Sequence, residues 1–147
     1  MKIALCFLTY GDLSKQELWK PFADATDKYN IYIHNKYNFN STFNKYCIKQ
    51  VIPTRWGHIS LVKASLLLFE EAYKNVENKY FILLSDSCIP LYTPEYIYEK
   101  IFSQKTNIIS LVFFQDDQLR IYNRLAYPNF FERQKFLKQS QWMCLTR

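Results

Sequence analysis

Glycine is almost absent from this 147-residue chain: only Gly11 and Gly57 occur. That scarcity leaves no GxGxxG and no GxxxxGK[ST], so the glycine-built phosphate cradles of the common dinucleotide and P-loop folds are excluded. A GxSxG nucleophile elbow is missing too. Cysteine is sparse and unpaired in spacing. Cys6, Cys47, Cys88 and Cys144 form no CxxC, and only His34 and His58 could join them around zinc. Cys6 and Cys144 lie inside apolar runs and read as buried free thiols. A reducing compartment is the default, with two disulfides as the alternative. No window holds eighteen uninterrupted apolar residues, and "MKIALCFLTYGD" is too short for a bilayer span and lacks a clear cleavage site. The chain therefore reads as cytoplasmic or, at most, peripheral to a membrane.

Basic charge is present but not blocked. Nineteen Lys and Arg against thirteen Asp and Glu give a net charge of +6, which favours anionic ligands. No Lys/Arg-rich run supports a dedicated nucleic-acid surface, so no nucleic-acid partner is expected. With 49% hydrophobic and 18% aromatic residues, the chain has the means to bury a core. One domain over residues 1–147 is expected.

Short apolar runs alternate with helical patterns. "IALCFLT" (3–9), "NIYIHN" (30–35), "KYCIKQVI" (45–52), "YFILLS" (80–85), "NIISLVFF" (107–114) and "QWMCLTR" (141–147) read as strands. Between them, Ser14 with Glu17 forms a capping-box signature ahead of Leu18, Trp19, Phe22 and Ala23, with Pro21 expected to kink or shorten that helix. Ser60 is placed to cap a helix running to about Val76, with its apolar stripe at Leu61, Ala64, Leu68 and Ala72. Thr93 and Pro94 open a third helix, and "NFFERQKFLKQ" (129–139) reads as a fourth. This alternation predicts an α/β domain on a mostly parallel sheet. Such sheets bind ligands at the carboxyl ends of their strands. The rule points to Thr9–Gly11, His34–Lys36 and Ser85–Cys88, with the Trp56–Gly57 turn at the same rim.

Each of these positions has two readings. Trp56 could stack on a base while Gly57 lets a ligand approach the backbone, or it is a buried Trp beside a turn Gly. Ser85, Asp86 and Ser87 could hold sugar hydroxyls, or close their own loop before Pro90. His34 could touch a ligand or be structural. Arg120 and Arg124 could pair with an anion or face water. Ser85-Asp86-Ser87 carries one carboxylate where many nucleotide-sugar transferases place an Asp-x-Asp, and Asp116-Asp117 are adjacent rather than alternating. No metal site is expected.

Taken together, "KIALCFLTYG", "IYIHNK", "RWGHISLVKASLLLFEEA", "YFILLSDSCIPL", "IYEKI", "RIYNRL" and "KQSQWMCLTR" resemble, in order and spacing, the core-2/I-branching β-1,6-N-acetylglucosaminyltransferase family, most closely its plant-type branch. The resemblance implies a GT-A-like (Rossmann-like) fold, shortened at the carboxyl end. It also implies metal-free, inverting transfer of N-acetylglucosamine from UDP-N-acetylglucosamine, the donor substrate, to a sugar hydroxyl of a glycan acceptor, with no cofactor. By position, Phe7, Leu8 and Thr9 would line the nucleotide pocket, with His34, Asn35, Lys36, Trp56 and Gly57. Ser85, Asp86, Ser87, Cys88 and Arg124 would lie near the transferred sugar or acceptor. Asn35 stands where animal relatives usually carry Asp. Cys88 stands where animal and bacterial members often carry Asp. The family's general base and its diphosphate-gripping residues have no match in this chain, so catalytic residues are unassigned. A second chain supplying that part, or a catalytically incomplete binding module of the same fold, is the alternative.

Overall fold

The computed structural model describes residues 1–37, 41–104, 106–113 and 137–147. Its elements run β1 (Lys2–Thr9), α1 (Gln16–Asp24), β2 (Tyr29–Asn35), a 3-10 turn (Thr42–Tyr46), α2 (Ser60–Tyr73), β3 (Asn78–Ser85), α3 (Pro94–Gln104), β4 (Ile108–Phe113) and β5 (Leu137–Thr146). The strands form one sheet in the order β2-β1-β3-β5-β4. β1 pairs parallel with both β2 and β3, whereas β5 pairs antiparallel with β3 and with β4. Four strands therefore point one way, and β5 alone is reversed between two of them. This is the α/β class with a mostly parallel, helix-flanked sheet that the sequence predicts, and it agrees with a GT-A-like arrangement.

The continuous apolar run of β1 is explained by burial on both faces. Ile3, Leu5 and Phe7 point into one core layer, with Trp19 and Phe22 of α1 and Ile101 of α3. Ala4, Cys6 and Leu8 point into the other, against Ala64, Leu68 and Ala72 of α2. Phe7 meets Trp19 edge-on at 4.9 Å between ring centroids. Fully burying an aromatic side chain of this size contributes about 1.5–3 kcal/mol, so this pair anchors α1 to the sheet. The small residues on α2 let that helix sit close to the strands. Cys6 and Cys144 are buried free thiols, and burial pushes the Cys144 thiol up to about 11. At the opposite end of the sheet from the carboxyl ends of β1, β2 and β3, fully buried Asn78 donates to the Ala72 carbonyl (2.8 Å) and the Tyr32 hydroxyl (3.0 Å). It accepts from Asn30 at 2.7 Å, so its amide is paired on both sides.

Five local expectations are corrected. Ser14 does not cap α1. Its backbone N–H is donated to the Asp86 carbonyl at 3.0 Å, and the cap position falls to Lys15 in the left-handed region, without a side-chain cap. Ser60 is the first residue of α2 rather than its cap, and its hydroxyl accepts the Arg55 N–H at 3.0 Å. That helix ends at Tyr73, short of Val76. Residues 45–52 form no full strand. Lys45 and Tyr46 finish the Ser41-capped 3-10 turn, leaving a single bridge from Cys47 to Ile33. Leu137, Lys138 and Gln139 belong to β5, not to a helix; residues 129–136 of the expected helix lie outside the described residues. Thr93 does cap α3, its hydroxyl accepting the Tyr96 N–H at 3.3 Å, and α1 runs three residues past Pro21 before ending at Asp24.

Candidate functional site

Three of the segments singled out by the strand-end rule come together. Thr9 lies opposite Asn35 in the β1–β2 register, and Ser85 lies opposite Leu8 in the β1–β3 register. The carboxyl ends of β2, β1 and β3 thus stand side by side as one rim. The chain leading to the fourth segment touches β2 before reaching it. After the Ile33–Cys47 bridge the chain runs parallel to β2, the Ile52 N–H meets the His34 ring, and Trp56 follows before α2 begins.

On this rim the side chains separate into supports and exposed groups. Phe7 and Leu8 are buried in the two core layers, so their side chains support the strand end from below. Thr9 is buried, its hydroxyl donating to Asn35 Oδ1 at 3.3 Å with the His34 carbonyl at 3.5 Å. Asn35 Oδ1 also accepts the Tyr37 N–H at 3.2 Å, which closes the turn after β2. His34 is fully buried. Its Nε2 accepts the Ile52 N–H at 3.0 Å, so the neutral ring carries its proton on Nδ1, and that atom has no partner among the described residues. Burial lowers the His34 pKa by disfavouring the charged ring. His34 thus holds the 47–52 segment against β2.

The exposed groups are aromatic, with one half-buried cation beside them. Lys36 Nζ lies 4.9 Å from the centre of the Tyr10 ring and 5.3 Å from that of Tyr37. The two tyrosines meet edge-on at 5.1 Å. Tyr10 and Tyr37 were not singled out in the sequence, although each follows a strand end within two residues, where an aromatic has no core to enter. Trp56 is 93% exposed, which removes the buried-Trp reading. Gly57 has φ +67 with open space where a Cβ would stand, so the turn needs glycine for its backbone angle and not for room.

The β3 end is more self-contained. Ser85 Oγ lies 2.9 Å from Ser87 Oγ and 3.4 Å from Cys88 Sγ, and the Cys88 N–H returns to the Ser85 carbonyl at 3.3 Å. Cys88 in turn offers its carbonyl to Trp19 Nε1 at 3.1 Å. Asp86 reaches across the rim, Oδ2 accepting the Tyr10 N–H at 3.1 Å. Arg120, Arg124, Asp116 and Asp117 lie outside the described residues. Among the described residues no three His, Cys, Asp or Glu side chains cluster as metal ligands, and no helix is long and apolar enough to cross a membrane.

Chemically, the arrangement offers π-faces for a planar ring, an ammonium for an anion, and hydroxyls with a carboxylate for sugar hydroxyls. The comparisons with known proteins follow the same line. The model of the Core-2/I-Branching enzyme family matches residues 3–147. Glycosyltransferase BC10 of Oryza sativa subsp. japonica is 28% identical over 156 residues, an alignment that takes in 99% of this chain and 38% of the rice protein. The chain therefore spans well under half the length of that relative.

Proposed function

Because the chain belongs to the Core-2/I-branching enzyme family, we propose that it is a glycosyltransferase and that the rim of β1, β2 and β3 is its donor site. The observation that carries this reading is Lys36 set between the rings of Tyr10 and Tyr37, beside the buried Thr9–Asn35 pair. The aromatic faces, with Trp56, take the uracil ring by stacking. The Lys36 ammonium takes the diphosphate charge. Ser85, Ser87 and Asp86 face the transferred sugar, whose hydroxyls they are chemically suited to bind.

The donor in this proposal is UDP-N-acetylglucosamine, used without a metal ion. In inverting transfer the acceptor oxygen attacks the anomeric carbon from the side opposite the diphosphate. The bond from that carbon to the phosphate oxygen breaks, UDP leaves with the electron pair, and the acceptor proton passes to a base. Positive charge beside the departing diphosphate lowers the barrier, and Lys36 is the described residue suited to that task. Asp86 is held by the Tyr10 N–H, a contact that suits positioning rather than proton removal, and no base is assigned.

That engagement of Asp86 also favours a second reading, a module that holds the nucleotide sugar without turning it over. Calorimetry with UDP and UDP-N-acetylglucosamine, with EDTA present, tests both. Binding together with UDP release in the presence of a glycan acceptor supports the enzyme. Binding without turnover supports the module. No binding at millimolar donor overturns the site.

A further inference from the structure

Helix α2 is apolar on two sides. Leu61, Ala64, Leu68 and Ala72 face the sheet. On the other side Ile59, just before the helix, and Val62, Leu66, Phe69 and Tyr73 recur at alternating spacings of three and four residues, with Phe69 half-buried where this stripe meets the core. Ile59, Val62, Leu66 and Tyr73 are each more than half exposed there. A surface helix needs only one apolar stripe to join its core, and a second stripe of alternating three-four spacing is the seam by which two helices pack. Tyr73 is held at the sheet-side edge of this stripe: the Arg147 guanidinium lies over its ring at 3.8 Å, and the buried Phe81 ring of β3 stacks with it at 6.1 Å. Lys63 and Glu70 flank the seam on the same side, seven residues apart. Both are exposed, and neither is ion-paired among the described residues.

We infer that α2 is an interface between two copies of this chain, packed antiparallel about a twofold axis. In that register Leu66 of each copy meets Phe69 of the other, Val62 meets Tyr73, and Lys63 faces Glu70. Every contact occurs twice, as a twofold interface requires. A parallel arrangement would set Glu70 against Ser65, with no charge to meet. The fourteen residues of α2 span about 21 Å, a short seam, so the dimer is weak and concentration-dependent.

Sedimentation of the full chain over a concentration series tests the interface. A monomer–dimer equilibrium is expected, shifted to monomer at least tenfold in dissociation constant by Leu66→Glu, with the circular dichroism and thermal transition of the monomer retained. Lys63→Glu and Glu70→Lys should each weaken the dimer, and the double reversal should restore it. A protein that stays monomeric throughout the series, or a dimer indifferent to Leu66→Glu, overturns the interface. A dimer that the double reversal fails to restore overturns the antiparallel register. Should Leu66→Glu fold poorly, Val62→Lys on the same face gives the same readout.

Discussion

Asp86 at the end of β3 accepts the backbone N–H of Tyr10 at the end of β1, at 3.1 Å, and its own carbonyl accepts the Ser14 N–H at 3.0 Å. One residue thus fixes the loop that presents Tyr10 to Lys36. Removing the carboxylate frees a backbone donor and loosens the loop. We expect Asp86→Ala to raise the dissociation constant for UDP although no substituted atom touches the base. Asp86→Asn, which keeps an acceptor oxygen, should recover most of the affinity. Equal losses in both variants, measured by calorimetry, would show that the charge acts on the ligand directly.

Trp56 makes the sharpest contrast between stability and binding. At 93% exposure its removal deletes almost no buried area, so Trp56→Ala should leave the thermal midpoint within about a degree, as surface changes do. Stacking on a base is worth about 1–3 kcal/mol, so UDP affinity should fall at least fivefold. A lowered midpoint with unchanged affinity would return Trp56 to a packing role.

Lys36 separates the base from the diphosphate. Its ammonium lies over two rings, and a fixed cation discriminates phosphate charge more than it does uracil. Lys36→Met should bring the affinities for UDP and uridine towards each other, and should flatten the dependence of UDP binding on salt. A parallel loss for both ligands would mean that Lys36 chiefly orders the tyrosines.

Much of this was legible in the sequence, for identifiable reasons. Runs such as "IALCFLT" are buried on both faces and betray a central strand, and the strand-end rule then gathers Thr9, Asn35 and Ser85. What the sequence hid was non-local. Ser14 and Ser60 carry capping chemistry, but the Ser14 backbone is tied to the distant Asp86 carbonyl and the Ser60 hydroxyl accepts the Arg55 N–H. The insertion of reversed β5 between β3 and β4 depends on sheet pairing that no local pattern encodes. Tyr10 and Tyr37 looked like ordinary members of an aromatic-rich chain until Lys36 was seen between them. Asn78 carried no visible motif, yet it ties Asn30 and Tyr32 of β2 to the Ala72 carbonyl of α2.

His34 gives the chain a pH response of known sign. Its pKa is lowered from 6.5 by burial, so the unfolded chain takes up a proton at a pH where the folded chain does not. The stability at neutral pH is therefore lost as pH falls from about 6.5 through the lowered folded value. Protonating the ring also removes the acceptor for the Ile52 N–H, loosening the segment that leads to Trp56. The carboxylates of Asp27 and Glu77 are held below the ordinary carboxylate range by Lys28 and Lys2, so they titrate further down the scale. Thermal midpoints measured from pH 7.5 to about 5 should decline in the wild type. In His34→Gln, whose amide oxygen can still accept from Ile52, that slope should be largely absent. A slope that survives the substitution would assign the response to other groups.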